Sequence, residues 1–215
     1  MVQPDNPAFG ATLRVAFVVG VTPGKWSKVW AERLPRTYLE LLPSTADAAV
    51  KAVEDGAADA ALVRLPVAGE HLSSIPLYVE LSVVVAPKDH AIEAVDSVSM
   101  ADLAAETMLS NDVRGDDWAA VVDLVATGAG VAVMPQSVAR ALSRRDVVAR
   151  PVTDGPETRI ALAWLAANNN FLVEEFIGIV RGRTANSSRG AQPKAEKKPK
   201  VAKPRTPDRR PSRRR

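Results

Sequence analysis

Residues 124–139 read LVATGAGVAVMPQSVA, and the joints inside this stretch set the fold class. Leu124–Ala126 closes a helical pattern that begins at Trp118. Thr127-Gly128-Ala129-Gly130 then turns the chain, because glycine accepts the backbone conformations that end a helix. Val131–Met134 is an apolar run of strand length, Pro135 breaks it, and Ser137 has the side chain to cap a further helix to Leu142. Helix, turn, buried strand and helix with almost no spacer is the pattern of a layered α/β protein.

The same pattern extends outward in both directions. Leu13–Gly20 (LRVAFVVG) reads as a buried strand, followed by a turn at Thr22-Pro23-Gly24. Trp26, Val29, Trp30, Arg33 and Leu34 recur at helical spacing until Pro35. Tyr38–Leu42 is a strand closed by Pro43, and Ser44 or Thr45 caps a helix through Val50 and Val53 that Gly56 ends. Ala58–Val63 is a third strand, and this order predicts an open sheet that is mainly parallel. Ile75–Tyr78 and Leu81–Ala86 follow as two strands. Ser99 with Asp102 reads as an N-cap for a short helix through Leu103, and Met108–Ser110 as extended. Val147–Val152 and Ile160–Leu165 are strands; Asn168–Asn170 caps an amphipathic helix over Phe171–Arg181, with Val173, Phe176, Ile177 and Val180 on one face.

Charge divides the chain differently. Residues 181–215 hold 14 Lys/Arg and 2 Asp/Glu, a net +12; the whole chain is +3, so residues 1–180 carry −9. A Lys/Arg/Pro-rich segment cannot bury enough apolar surface to offset its ordering entropy, so residues 184–215 are expected to be a disordered tail. A polyanion is the expected partner: Lys197, Lys198, Lys200, Lys203, Arg205, Arg209, Arg210, Arg213, Arg214 and Arg215 are the candidate nucleic-acid contacts, non-specific and salt-sensitive. With no aromatic residue in the tail to stack on bases, sequence-specific single-strand reading is not expected. A solubilising extension is the plainer alternative.

Zero cysteines exclude disulfides, thiolate metal sites and cysteine nucleophiles in this sequence. The N-terminus lacks the pattern of a secretory signal, and the longest apolar runs are too short to cross a bilayer, so a cytoplasmic protein with no membrane contact is expected. His71 and His90, the only histidines, lie in loop-like segments without a Ser/Asp partner, and adjacent acidic pairs such as Asp116-Asp117 point apart. No catalytic residue, metal site or cofactor is expected, and the chain reads as a non-enzyme.

Six segments in order give a more specific reading. WAERLPRTYLELL (30–42), VEDGAADAALVRLP (53–66), IPLYVELSVVVAPKDH (75–90), SMADLA (99–104), LVATGAGVAVMPQSVA (124–139) and TRIALAW (158–164) together resemble the effector-binding domain of LysR-type transcriptional regulators. The resemblance implies two Rossmann-like α/β lobes of the type 2 periplasmic-binding-protein kind, joined by two crossover strands. On that basis residues 1–11 are an N-terminal extension and residues 12–183 the domain. Lobe one is 12–80 with 158–183, and lobe two is 81–157. It also implies a homodimer and a small effector in the cleft between the lobes. Two departures stand out. About a dozen residues precede the first strand, too few for the family's winged helix-turn-helix, and SNDVRGDD (110–117) stands where the family has a further strand–helix unit, which shortens lobe two.

Candidate ligand residues follow from that placement. Arg64 ends the ADAALV strand, where a guanidinium could hold a carboxylate in bidentate fashion; otherwise it is a surface arginine at a strand end. Val21 and Thr22 sit in the turn before a helix N-terminus, a favourable place for an anion, or an ordinary βα turn. Thr127, Gly128 and Ala129 are expected across the cleft, either near the ligand or as a packing turn. The expected ligand is a small anionic or aromatic-acid effector, and the expected function is small-molecule sensing in transcriptional regulation. The alternative is an interaction protein with a vestigial cleft, tethered to nucleic acid by its tail. An enzyme or a solute-binding protein on the same fold is the third reading, opposed by the missing catalytic constellation and the missing secretory signal.

Overall fold

Among the described residues eight strands form two sheets, and the chain passes between them twice. The structure is a computed structural model that describes residues 10–67, 69, 71–109 and 117–183. The ten basic tail residues named above and positions 110–116 lie outside the described residues. Along the chain run β1 (Thr12–Val18), α1 (Gly24–Arg33), β2 (Tyr38–Ser44), α2 (Ala46–Glu54), β3 (Ala60–Arg64), β4 (Leu72–Glu80) and β5 (Ser82–Pro87). There follow a single 3-10 turn at Ala91–Ala94, α3 (Trp118–Ala126), β6 (Ala132–Pro135), α4 (Gln136–Ala141), β7 (Val147–Pro151), β8 (Thr158–Leu165) and α5 (Phe171–Val180).

The larger sheet has the order β2-β1-β3-β8-β4 and the smaller one β6-β5-β7. Only β2-β1-β3 is parallel; β8 pairs antiparallel with both β3 and β4, and β5 pairs antiparallel with β6 and β7. The expected mainly parallel sheet is therefore confined to the first three strands. The reason is connectivity: the chain leaves the larger sheet along β4 and returns along β8, so these two strands must run in opposite directions. Leu81 alone separates β4 from β5.

The core of the larger sheet is built around Leu13, Val15, Leu62, Ile160 and Leu162, all fully buried. Trp30 of α1 meets Phe176 of α5 edge to face, with centroids 6.0 Å apart, a favoured aromatic geometry. Thr45 caps α2 by accepting from the Ala48 N–H, and Asn170 caps α5 by accepting from the Leu172 N–H at 2.9 Å. The smaller sheet buries aliphatic clusters on its two faces, around Val83, Val85 and Val125 on one and Val84, Val98 and Leu103 on the other.

Three local expectations change. β2 continues through Pro43 to Ser44, which an edge strand tolerates because the missing N–H need not pair. Ser99 and Asp102 do form reciprocal bonds, Ser99 N–H donating to Asp102 Oδ2 at 2.7 Å and Asp102 N–H to Ser99 Oγ at 3.3 Å. Successive turns follow rather than a helix, between the points where Val98 bridges to Val152 and Met108 to Val131. Ser137 lies inside α4, whose N-cap is Pro135 without a side-chain cap bond. Its hydroxyl is engaged elsewhere.

Candidate functional site

Topology places the site before any side chain is considered. β1 connects through α1 to β2 on one side, and β2 connects through α2 back across to β3 on the other. Right-handed crossovers in opposite directions leave a crevice at the carboxyl ends of β1 and β3. β4 is antiparallel to β8, which is antiparallel to β3, so β4 ends and β8 begins at this same edge. In the smaller sheet, β5 starts and β6 ends there, which brings the first turn of α4 to the crevice.

Five elements meet at one buried ion pair. Arg64 Nε donates to Glu80 Oε2 at 2.8 Å and Nη2 to Glu80 Oε1 at 3.4 Å, with side chains only 9% and 3% exposed. Arg64 Nη2 also donates to the Val19 carbonyl at 2.9 Å and to Ser137 Oγ at 3.1 Å. Ser137 in turn donates to Glu80 Oε1, and Thr158 Oγ1 donates to Glu80 Oε2 at 3.3 Å. Val19, Arg64, Glu80 and Thr158 belong to the larger sheet's side, while Ser137 comes from α4 on the smaller one. The hydroxyl is thus a link between the lobes. Arg64 Nη1 is enclosed without a hydrogen-bond partner among the described residues.

Backbone packing tightens the same contact. Gly20 has φ +89°, and a Cβ built on it would stand 2.5 Å from Ser137 Oγ and 2.9 Å from the Ser137 carbonyl carbon. Only glycine fits that conformation and that approach. Val19 packs against the apolar cluster of the smaller sheet. The β1–α1 loop therefore touches both lobes.

Beside this network lies a cleft of about 820 Å³, which includes Val21 and Thr22 in its lining. Phe17, Val19, Trp26 and Pro43 give it apolar walls; Thr22, Ser44, Tyr78 and Ser137 contribute hydroxyls. Among the described residues its charged side chains are Lys25 of α1 and Arg140 of α4, and no carboxylate lines it. Lys25 Nζ stands 4.9 Å from the centroid of the Trp26 ring, within cation–π range. Burial, followed by the neighbouring Glu80 carboxylate, raises the Tyr78 phenol above its ordinary value of 10.0, so it stays protonated at neutral pH.

The candidates named from sequence therefore separate. Val21 and Thr22 line the cleft. Arg64 stands behind it, committed to Glu80. Thr127, Gly128 and Ala129 are exposed at the end of α3, where Thr127 Oγ1 donates to the Leu124 carbonyl at 2.7 Å and Gly128 takes φ +83°. Because β6 runs from Ala132 toward the cleft at Pro135, the turn before it lies at the far end of that strand. Glu80, Ser137, Lys25 and Arg140 are not among the ligand candidates read from sequence. For Glu80 a signal existed: a carboxylate between Val79 and Leu81, inside an otherwise apolar strand pair.

His71 pairs with Glu54 at 3.0 Å and His90 with Glu106 at 3.3 Å, both outside the cleft. Among the described residues no group of three His, Asp or Glu could hold a metal ion, and no helix is long and apolar enough to cross a membrane. An apolar-walled space with hydroxyls and two cations suits a small organic anion.

Comparison with known proteins agrees on the architecture. The family model described as the LysR substrate binding domain matches residues 10–115 and 109–185. A "Probable hydrogen peroxide-inducible genes activator" of Mycobacterium leprae is 28% identical over 162 residues, covering 63% of this chain and 52% of the relative. The chain thus spans about half the length of that curated relative. Among solved structures, a cysteine-to-aspartate mutant of the OxyR regulatory domain from Pseudomonas aeruginosa matches with a TM-score of 0.64 and 21% identity, over 80% of this chain and 97% of that one. The BenM effector binding domain with its effector benzoate matches at 0.64 and 17%, over 80% and 90%.

Proposed function

The chain belongs to the LysR substrate binding domain family, and from that premise we propose that it is a regulatory sensor of a small organic acid, acting in transcription. One observation carries this reading: the cleft between the two sheets is of small-molecule size, is lined by Val21, Thr22 and two cations, and has no acidic group in its wall. A ligand there touches elements of both lobes, so binding favours one lobe arrangement over others by its differential contacts. Benzoate is the effector of BenM, a protein with this fold; an aromatic or aliphatic carboxylate fits the apolar wall and basic rim here. These 215 residues contain no cysteine, so they supply no thiol for oxidative sensing, and reversible binding is the proposed mode.

In this reading the domain works as a homodimer, and the basic residues from Lys197 to Arg215 hold nucleic acid without reading its sequence. Net +12 over residues 181–215 supports an affinity that falls steeply with salt. A thermal-shift screen of small carboxylates and aromatic acids tests the sensor. A true ligand at a hundred times its Kd stabilises by about 2.7 kcal/mol, a rise of several degrees. Thr22→Val is expected to reduce that rise.

A second reading, an interaction protein with a vestigial cleft, draws support from the Arg64–Glu80 pair. The guanidinium best placed to grip a carboxylate already holds one. No stabilisation by any acid, together with salt-sensitive DNA retention lost on deleting residues 190–215, would favour it.

A further inference from the structure

We propose that Lys25 and Arg140 form a two-sided clamp for a diacid, a small molecule with an acidic group at each end of an apolar frame. The inference rests on the sensor reading and specifies its ligand. Three observations carry it. First, the cleft has two charged side chains in its lining, both cations, and they come from opposite lobes: Lys25 from the start of α1 and Arg140 from α4. Second, neither makes an ion pair among the described residues. Third, Arg64, which bonds to Val19 and Ser137 of the lining, is neutralised in place by Glu80.

The consequence is a division of labour. Arg64 with Glu80 is a closed pair and offers no net charge to a ligand. The unmatched positive charge of the cleft sits on exposed and therefore adjustable side chains, one from each lobe, and Phe17, Val19 and Trp26 supply apolar wall in the same cleft. A monoacid satisfies one cation and leaves the other unpaired. A diacid satisfies both and, by spanning them, ties α1 to α4 and so one lobe to the other. Engaging the second end is then an intramolecular step with a high effective concentration.

Isothermal titration of the full chain with the three benzenedicarboxylate isomers and hexanedioate, against benzoate and neutral benzamide, tests this. The best diacid is expected to bind about tenfold or more tighter than benzoate. Lys25→Gln and Arg140→Gln should each bring that diacid to within about threefold of benzoate, as loss of one end of a two-ended contact predicts. Lys25→Arg and Arg140→Lys should keep most of the advantage. Both positions are exposed, and unchanged melting of the ligand-free variants verifies that they fold. If benzoate binds as tightly as every diacid, or if neither Gln variant narrows the gap, the clamp is wrong while the sensor reading survives. If the wild type binds none of the acids, both are overturned.

Discussion

The two sheets solve the same packing problem with different material. The larger one buries Trp30 against Phe176 and fills its centre with Leu13, Leu62, Ile160 and Leu162. In the smaller one 13 of the 17 buried core residues are Val or Ala, the others being Trp118, Met134, Ile92 and Leu103. Apolar area removed from water is the main stabilising term, at about 25 cal/mol per Å², so the smaller sheet has less to hold it together. The ion pair repeats the asymmetry. Four of its five contributors, Val19, Arg64, Glu80 and Thr158, come from the larger sheet's side, and only the Ser137 hydroxyl comes from the other. The larger lobe is a platform, and the smaller one is attached to it.

Breaking the pair is expected to have the largest effect. Glu80→Ala leaves a buried guanidinium without its carboxylate and should cost about 3–5 kcal/mol in urea unfolding. Replacing both partners together, Arg64→Met with Glu80→Leu, should recover most of that loss, because desolvation of two charges roughly cancels their attraction. A single-variant loss within about 0.5 kcal/mol, the usual surface value, would mean the pair is not enclosed as described.

Ser137→Ala should cost less, about 1.5–3 kcal/mol for a bond to charged partners, and its effect should be uneven. Amide exchange in β5, β6 and β7 is expected to accelerate while β1 and β3 keep their protection. Equal acceleration in both sheets would dissolve the distinction between platform and attachment.

The smallest effect concerns acid. Hydrogen bonds from Ser99, through its backbone N–H first and then its hydroxyl, hold the Asp102 carboxyl below its ordinary 3.8, and a hydrogen bond from Arg144 does the same for Asp146. Both belong to the smaller lobe. Carboxyls depressed on folding contribute stability that is complete above the ordinary value and is lost as pH falls through the lowered one. Melting followed from pH 5 downward should therefore show a mild loss, removed by Asp102→Asn with Asp146→Asn. Both groups are exposed, so added salt should blunt the Asp146 part.

Much of the fold was legible because glycine and proline punctuate it. Gly20, Pro35 and Gly56 separate strands and helices where the periodicity changes, and those joints do not depend on tertiary context. Pairing direction was not legible in the same way. Ile75–Tyr78 looked like a short strand, yet β4 runs from Leu72 to Glu80, because β8 lies beside it for that whole length. The site was half legible. Val21 and Thr22 follow a strand that any α/β sheet would point at its crevice. Ser137 had the composition of a cap, and only the arrival of a carboxylate from another element draws its hydroxyl away. Thr127-Gly128-Ala129 was assigned to the cleft because the antiparallel course of β6 cannot be read from its own residues.

The single residue between β4 and β5 has a mechanical meaning. Glu80 pairs with Thr158 in register, so both connections cross the boundary side by side and act as a pivot line. From there β5 extends for 6 residues to Pro87, a lever arm of about 20 Å at about 3.3 Å per residue. A turn of about 10° at the pivot would carry the Pro87–Asp89 tip through about 3.5 Å on an arm of that length. A small rotation beside Glu80 would thus be geared into a displacement that a neighbouring protein surface could feel.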